Sequence, residues 1–143
     1  NSKINELQNQ KKSLEEKREE TKKFYEEQIE LYEKQSNIKN YENKYCYVTD
    51  YQKELDSRKK DVRELEMQLK ILENDTSAKA EKRKRELRAE LSNAQEALKD
   101  YSTYLSCKNI LENLDNQRKN ALNAIDEQIK DCDKKINELN KTT

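Results

Sequence analysis

Asn74-Asp75-Thr76-Ser77-Ala78 is a run of small polar residues just past the midpoint of an otherwise unbroken helical pattern. Asn, Asp, Thr and Ser bond their side chains to nearby backbone groups, and Asn tolerates the left-handed conformation that ends many helices. Asn74 is therefore the expected helix stop, and Asp75, Thr76 or Ser77 the expected cap of the next helix. A fold-back here lets everything before it pair with everything after it.

Laid antiparallel about that turn, the two sides match. Leu72 meets Ala80, Leu65 meets Leu87, Val62 meets Leu91, Leu55 meets Leu98, Tyr51 meets Tyr101 and Val48 meets Leu105. Further out, Tyr41 meets Leu111, Ile38 meets Leu114, Leu31 meets Ala121, Gln28 meets Ile125 and Leu14 meets Leu139. One unshifted register thus aligns apolar positions from the turn almost to the ends. The expected fold is all-α, a long antiparallel two-helix coiled-coil hairpin forming a single elongated domain over residues 1–143. Helix 1 is expected over 3–73, the turn over 74–77 and helix 2 over 78–141. Two helices of roughly 65 residues, rising about 1.5 Å per residue, would extend on the order of 100 Å. The alternative is three helices with an extra break near 36–40, where Ser36 and Asn37 are indifferent helix formers.

Composition agrees with an elongated helical chain. The 143 residues contain no Gly, Pro, His or Trp, and 42% are charged against 31% hydrophobic. Little can break a helix and little can fill a globular core. Equal numbers of basic and acidic residues, 30 of each, argue against a general polyanion binder. No stretch approaches the roughly 18 apolar residues of a membrane span, and the polar start Asn-Ser-Lys-Ile-Asn is no signal peptide. Asn in first place suggests an internal or processed start, as in a piece of a larger chain. Three cysteines without other secretory signs favour a reducing compartment, so a cytoplasmic location is expected.

Along the chain the inward row opens with Ile4, Leu7, Leu14, Thr21, Tyr25 and Gln28, with Lys11 and Arg18 at the same spacing. Charged residues in such a row lower stability and often fix register or partner choice. Beyond it Tyr51, Leu55, Arg58, Val62, Leu65, Leu69 and Leu72 step by four and three, which is heptad spacing. Opposite Arg58 falls Ala94, a small neighbour across which the long side chain can lie with its head in water. Both arms skip a residue near their middles, at Tyr45-Val48-Tyr51 and Leu105-Lys108-Leu111. Such stammers are expected to overwind the coil locally.

Around the stammers gather Tyr41, Tyr45, Tyr47 and Tyr51 from one arm and Tyr101 and Tyr104 from the other. Tyrosine offers a broad apolar face, a polar tip and a low entropy loss on binding, so this is a candidate partner surface. The plainer reading, and the favoured one, is that the rings fill a gap opened by the phase slip while their hydroxyls reach solvent. Tyr47 lies off the inward row and discriminates between the two. Cys46 and Cys107 fall nearly opposite and form a candidate pair, expected to stay reduced. Cys132 reads as a small core residue.

Past the turn Lys79, Lys82, Arg83, Lys84, Arg85 and Arg88 make a basic tip. It could meet phosphate, acidic lipid or an acidic partner, but such runs are more often a solvated helix face, here set against Asp61, Glu64, Glu66 and Glu73. No aromatic or glycine-rich element accompanies it, which argues against nucleic acid. Two Asn-x-Thr sequences, at Asn74 and Asn140, matter only for a secreted chain. With no His, no Cys-x-x-Cys and no phosphate-binding loop, no catalytic residue, metal site or cofactor is expected. The expected function is a non-enzymatic structural or protein–protein interaction module, a coiled-coil spacer or arm that meets other proteins, or its own copies, through helix–helix contacts. The alternatives are a small helical adaptor or export partner docking residues 1–35 onto a client helix, and a basic-tip contact with nucleic acid.

Overall fold

The computed structural model describes residues 1–142. They form four helices: α1 (Ser2–Ser36), α2 (Ile38–Lys44), α3 (Tyr51–Ile71) and α4 (Ala78–Thr142). The chain reverses between α3 and α4, so the all-α helical hairpin expected from the sequence is the fold. The first arm, expected as one helix over 3–73, is instead three helices, broken at Asn37 and again over 45–50. The break at Asn37 is the one that the three-helix alternative places near 36–40. The chain gathers into two compact units, one of Asn1–Asn37 with the chain from Asn109 onward, the other of Ile38–Lys108.

In the unit Ile38–Lys108, α3 gives out before Asn74. Its last turn closes through Leu72 N–H to the Gln68 carbonyl at 3.3 Å and Glu73 N–H to the Lys70 carbonyl at 3.2 Å. Asn74 is not left-handed; among the described residues only Asn37 has a positive φ, 56°. Asn37 therefore performs at the end of α1 the role expected of Asn74. Asp75 Oδ1 accepts from Ser77 N–H at 3.0 Å, and Ser77 Oγ accepts from Ala80 N–H at 3.2 Å, which makes Ser77 the cap of α4. The Ser77 N–H holds the Asp75 carboxyl below its usual range. Ser77→Ala is expected to destabilise this turn by about 1 kcal/mol. Urea denaturation followed by circular dichroism checks it, and an unchanged midpoint would deny Ser77 that role.

Where the spacing predicts a stammer at the second break, the first arm leaves the helix altogether. Tyr45 N–H still reaches the Tyr41 carbonyl at 2.9 Å and Val48 N–H the Tyr45 carbonyl at 3.1 Å, and there the ladder ends. Asp50, extended at φ −124°, restarts it by accepting from Lys53 N–H at 3.0 Å. An Asp that caps a following helix, behind β-branched Val48 and Thr49, offers the backbone an alternative to continuing. α4 carries its own phase slip without a break, as one helix of 65 residues.

This loop changes the register. On the turn side the expected pairing of Tyr51 with Tyr101 holds: the Tyr101 hydroxyl donates to the Tyr51 carbonyl at 2.9 Å. On the other side of the loop Tyr41 stacks on Tyr104, ring centres 6.1 Å apart, where Leu111 was expected. The same displacement appears in the unit containing α1. Lys11 Nζ lies 2.7 Å from Asp133, Arg18 Nε 2.6 Å from Asp126, and Leu7 lines the same groove as Leu139, the partner expected for Leu14. The pairings expected for Tyr41 and Leu14 are thus off by one heptad, and Val48 lies in the loop itself. The reason is that 45–50 loops out instead of advancing along α4.

Within that α1 unit the inward row runs Ile4, Leu7, Lys11, Leu14, Arg18, Thr21 and Tyr25 as expected, then departs. Gln28 is exposed and Leu31 is 50% exposed, while Ile29 and Tyr32 are half-buried in their stead. Two successive four-residue steps, Thr21 to Tyr25 to Ile29, rotate the face and bring an Ile inward in place of a Gln. From α4, Ile125 and Cys132 are buried against this row.

Candidate functional site

The tyrosines flanking the 45–50 loop form a joint inside the unit Ile38–Lys108. Tyr45, Tyr101 and Tyr104 are buried, Tyr41 and Tyr51 half-buried, and Tyr47 is 60% exposed. Tyr45 meets Tyr101 edge to face at 5.0 Å and stacks on Tyr104 at 5.3 Å. Edge and stacked contacts at such spacings suit the ring quadrupoles, and wide rings occupy the space where a looped-out segment leaves no helix. Three of the six tyrosines of the candidate surface are therefore spent inside the joint. Tyr47 alone stands in the open, its ring 6.4 Å from that of Tyr45.

The hydroxyls do not all reach solvent. The Tyr45 hydroxyl donates to Asp100 Oδ2, and Lys44 Nζ donates to the same oxygen at 2.7 Å. Lys44 and Tyr45 together hold the Asp100 carboxyl below its usual range. Arg58 was expected to lie across Ala94 with its head in water. Its guanidinium instead sits over the rings of Tyr45 and Tyr101, at 5.4 and 5.2 Å, donating to Glu54 at 3.1 Å and to the Tyr47 hydroxyl at 2.9 Å. Lys108 Nζ lies 3.7 Å from the centre of the Tyr51 ring. Cations over aromatic faces gain most where water is partly excluded.

Burial raises the phenol pKa of Tyr45, Tyr101 and Tyr104, that of Tyr104 to about 12. A raised folded-state value means stability that is complete below the ordinary 10.0 and is lost as pH rises through the folded value. Phenolate absorbance is expected to show a late phase from these three tyrosines, coincident with loss of helical signal. Their ionisation while the helices persist would contradict the burial. Asp100 acts with the opposite sign, and its contribution is lost as pH falls through its lowered folded value.

The basic tip divides. Lys79, Lys82, Arg83, Arg85 and Arg88 are exposed, but Lys84 is buried and turned inward. Its ammonium donates to the Asp75 carbonyl at 2.6 Å, to Glu81 Oε1 at 3.1 Å and to the Glu73 carbonyl at 3.5 Å. Lys84 thus ties together two backbone carbonyls of the turn that follows α3. Arg83 pairs along its own helix with Glu86 and Glu90 at 3.2 and 3.7 Å, where acidic residues of α3 were expected.

Cys46 is exposed, Cys107 buried, and both are free thiols, as is buried Cys132. Among the described residues no three His, Cys, Asp or Glu side chains cluster in a way that could hold a metal ion, and no helix is long and apolar enough to cross a membrane. Sequence reading missed Asp100, Lys44 and Asp50, whose roles depend on which loop surface they face. It noted Lys11 and Arg18 but not Asp126 and Asp133, whose matching seven-residue spacing was a legible signal. Comparison with protein-family profiles, curated proteins and solved structures returns no match.

Proposed function

We propose that this chain is a non-enzymatic structural module, a coiled-coil arm or spacer that works through helix–helix contacts, in the first place with a second copy of itself. The observation that carries this reading is the outer face of α1, where Phe24 and Leu31, one heptad apart, are 55% and 50% exposed. Apolar side chains at that spacing form a stripe that a further helix can cover. Equal numbers of acidic and basic residues leave no net charge to hold copies apart. The inward row beneath is itself half polar, with Lys11, Arg18 and Thr21 among its members, so a two-helix pairing leaves apolar surface that association would bury.

Sedimentation equilibrium over a range of concentrations tests it. The wild-type chain is expected to exceed its monomer mass of 17.2 kDa, and Phe24→Asp with Leu31→Asp to restore that mass without loss of helicity. A wild-type chain that stays monomeric throughout would sink self-pairing and favour the adaptor reading, in which the same stripe receives a client helix.

A further inference from the structure

We propose that the hairpin has two registers one heptad apart, and that the 45–50 loop is the slack through which α1 and α2 slide along α4 from one to the other. A heptad pattern pairs equally well with itself after a shift of seven residues. The structure places Leu7 in the groove with Leu139 and Tyr41 on Tyr104. One heptad further along α4, Leu14 takes the place beside Leu139 and Tyr41 comes to Leu111, so apolar meets apolar again.

The loop can supply that displacement. Tyr45-Cys46-Tyr47-Val48-Thr49-Asp50 contains neither Gly nor Pro, and no residue in it has a positive φ. Taken up as helix, it joins α2 to α3 and carries α1 about 10 Å toward the C-terminal end of α4. Such stepwise movement of one packed helix past another is a recognised form of two-state switching.

The charged residues are spaced for both positions. Lys11 and Arg18 are one heptad apart, and so are their partners Asp133 and Asp126. In the observed register both cations are paired. After the shift Arg18 comes to Asp133 and Lys11 to Asn140, so one pair survives. Lys44 and Tyr45 on Asp100 form a second latch on the observed register, since the shift carries both away from it. The looped register therefore gains the tyrosine joint and one more ion pair, while the shifted register gains the backbone bonds of the absorbed loop. A ligand or partner that draws Tyr45 or Lys44 off Asp100 would be read as a displacement of α1.

Disulfide trapping in the full chain, with Cys46→Ser, Cys107→Ala and Cys132→Ala, tests the proposal. Leu7→Cys with Leu139→Cys reports the looped register, and Leu14→Cys with Leu139→Cys reports the shifted one, because a disulfide needs Cα atoms within about 7 Å. In the otherwise native background the first pair is expected to close faster, with the second closing at a rate above that of the urea-unfolded chain. Asp126→Lys opposes Arg18 only in the looped register, and is expected to raise the rate of the second pair relative to the first by about tenfold. Asp133→Lys opposes a cation in both registers and is expected not to favour the second pair. Asp50→Ala, which removes a cap that only the looped register uses, is expected to act in the same direction as Asp126→Lys. The chain locked through residues 14 and 139 is expected to show more helical ellipticity than the chain locked through 7 and 139. The proposal is overturned if the second pair never closes faster than in the unfolded chain, or if neither Asp126→Lys nor Asp50→Ala changes the ratio while helicity is retained.

Discussion

Tyr101→Ala is expected to cost the unit Ile38–Lys108 about 3–5 kcal/mol, the range for emptying a buried aromatic position. Tyr101 is 0% exposed and touches Tyr45 and Tyr104 through its ring, while the Arg58 guanidinium lies over its face. Removing the ring opens a hole where α2, the 45–50 loop, α3 and α4 meet, and rigid helices on either side cannot collapse to fill it. Tyr101→Phe separates packing from polarity. It keeps the ring and loses only the bond to the Tyr51 carbonyl, so about 1 kcal/mol is expected. Urea denaturation by circular dichroism, with amide exchange to localise the loss to α2 and α3, measures both. Equal costs for the two variants would mean that the hydroxyl, and not the ring, holds the joint.

Lys84→Ala is expected to cost about 2–3 kcal/mol, because hydrogen bonds from a charged donor are worth more than neutral ones. The Lys84 side chain is only 7% exposed and its three partners belong to the turn and to α4's first turns. Its methylene stem is buried in the same row as Ala80 and Leu87, the buried positions on either side of it along the helix. Lys84→Met retains most of the stem, so the difference between the two substitutions isolates the ammonium. The loss should localise to amides of the turn between α3 and α4 and of the first turns of α4. If Lys84→Ala melts with the wild-type chain, the ammonium's contacts contribute nothing to the turn, and Lys84 returns to the basic tip as one more solvated cation.

Much of this was legible because helices write their burial into the sequence at intervals of three and four. Val62, Leu87, Leu91 and Ile125 declared the inward faces of α3 and α4, and the absence of Gly and Pro declared that almost everything would be helix. The turn at 74–78 was visible through its Asx and Ser chemistry, although the structure assigns the parts differently, with Ser77 as the cap and Asn37 as the left-handed stop. The tyrosines were recognisable as a cluster. Which of them are buried was not, since Tyr45 and Tyr47 differ by two positions in a segment that is no longer helical, where helical spacing predicts nothing about burial.

What the sequence by itself determined is the hairpin: its class, its point of reversal and the faces its helices turn to each other. Only the tertiary structure decided the register. Apolar periodicity is blind to a shift of seven residues, so Leu7 and Leu14 are equivalent candidates for Leu139 in any pattern-based pairing. The choice falls to interactions that do not share that symmetry, namely Asp50 capping α3, Tyr45 and Lys44 on Asp100, and the two cations of α1 finding Asp126 and Asp133. Each depends on where a loop places a side chain in space, and a linear pattern of hydrophobic residues holds no record of that.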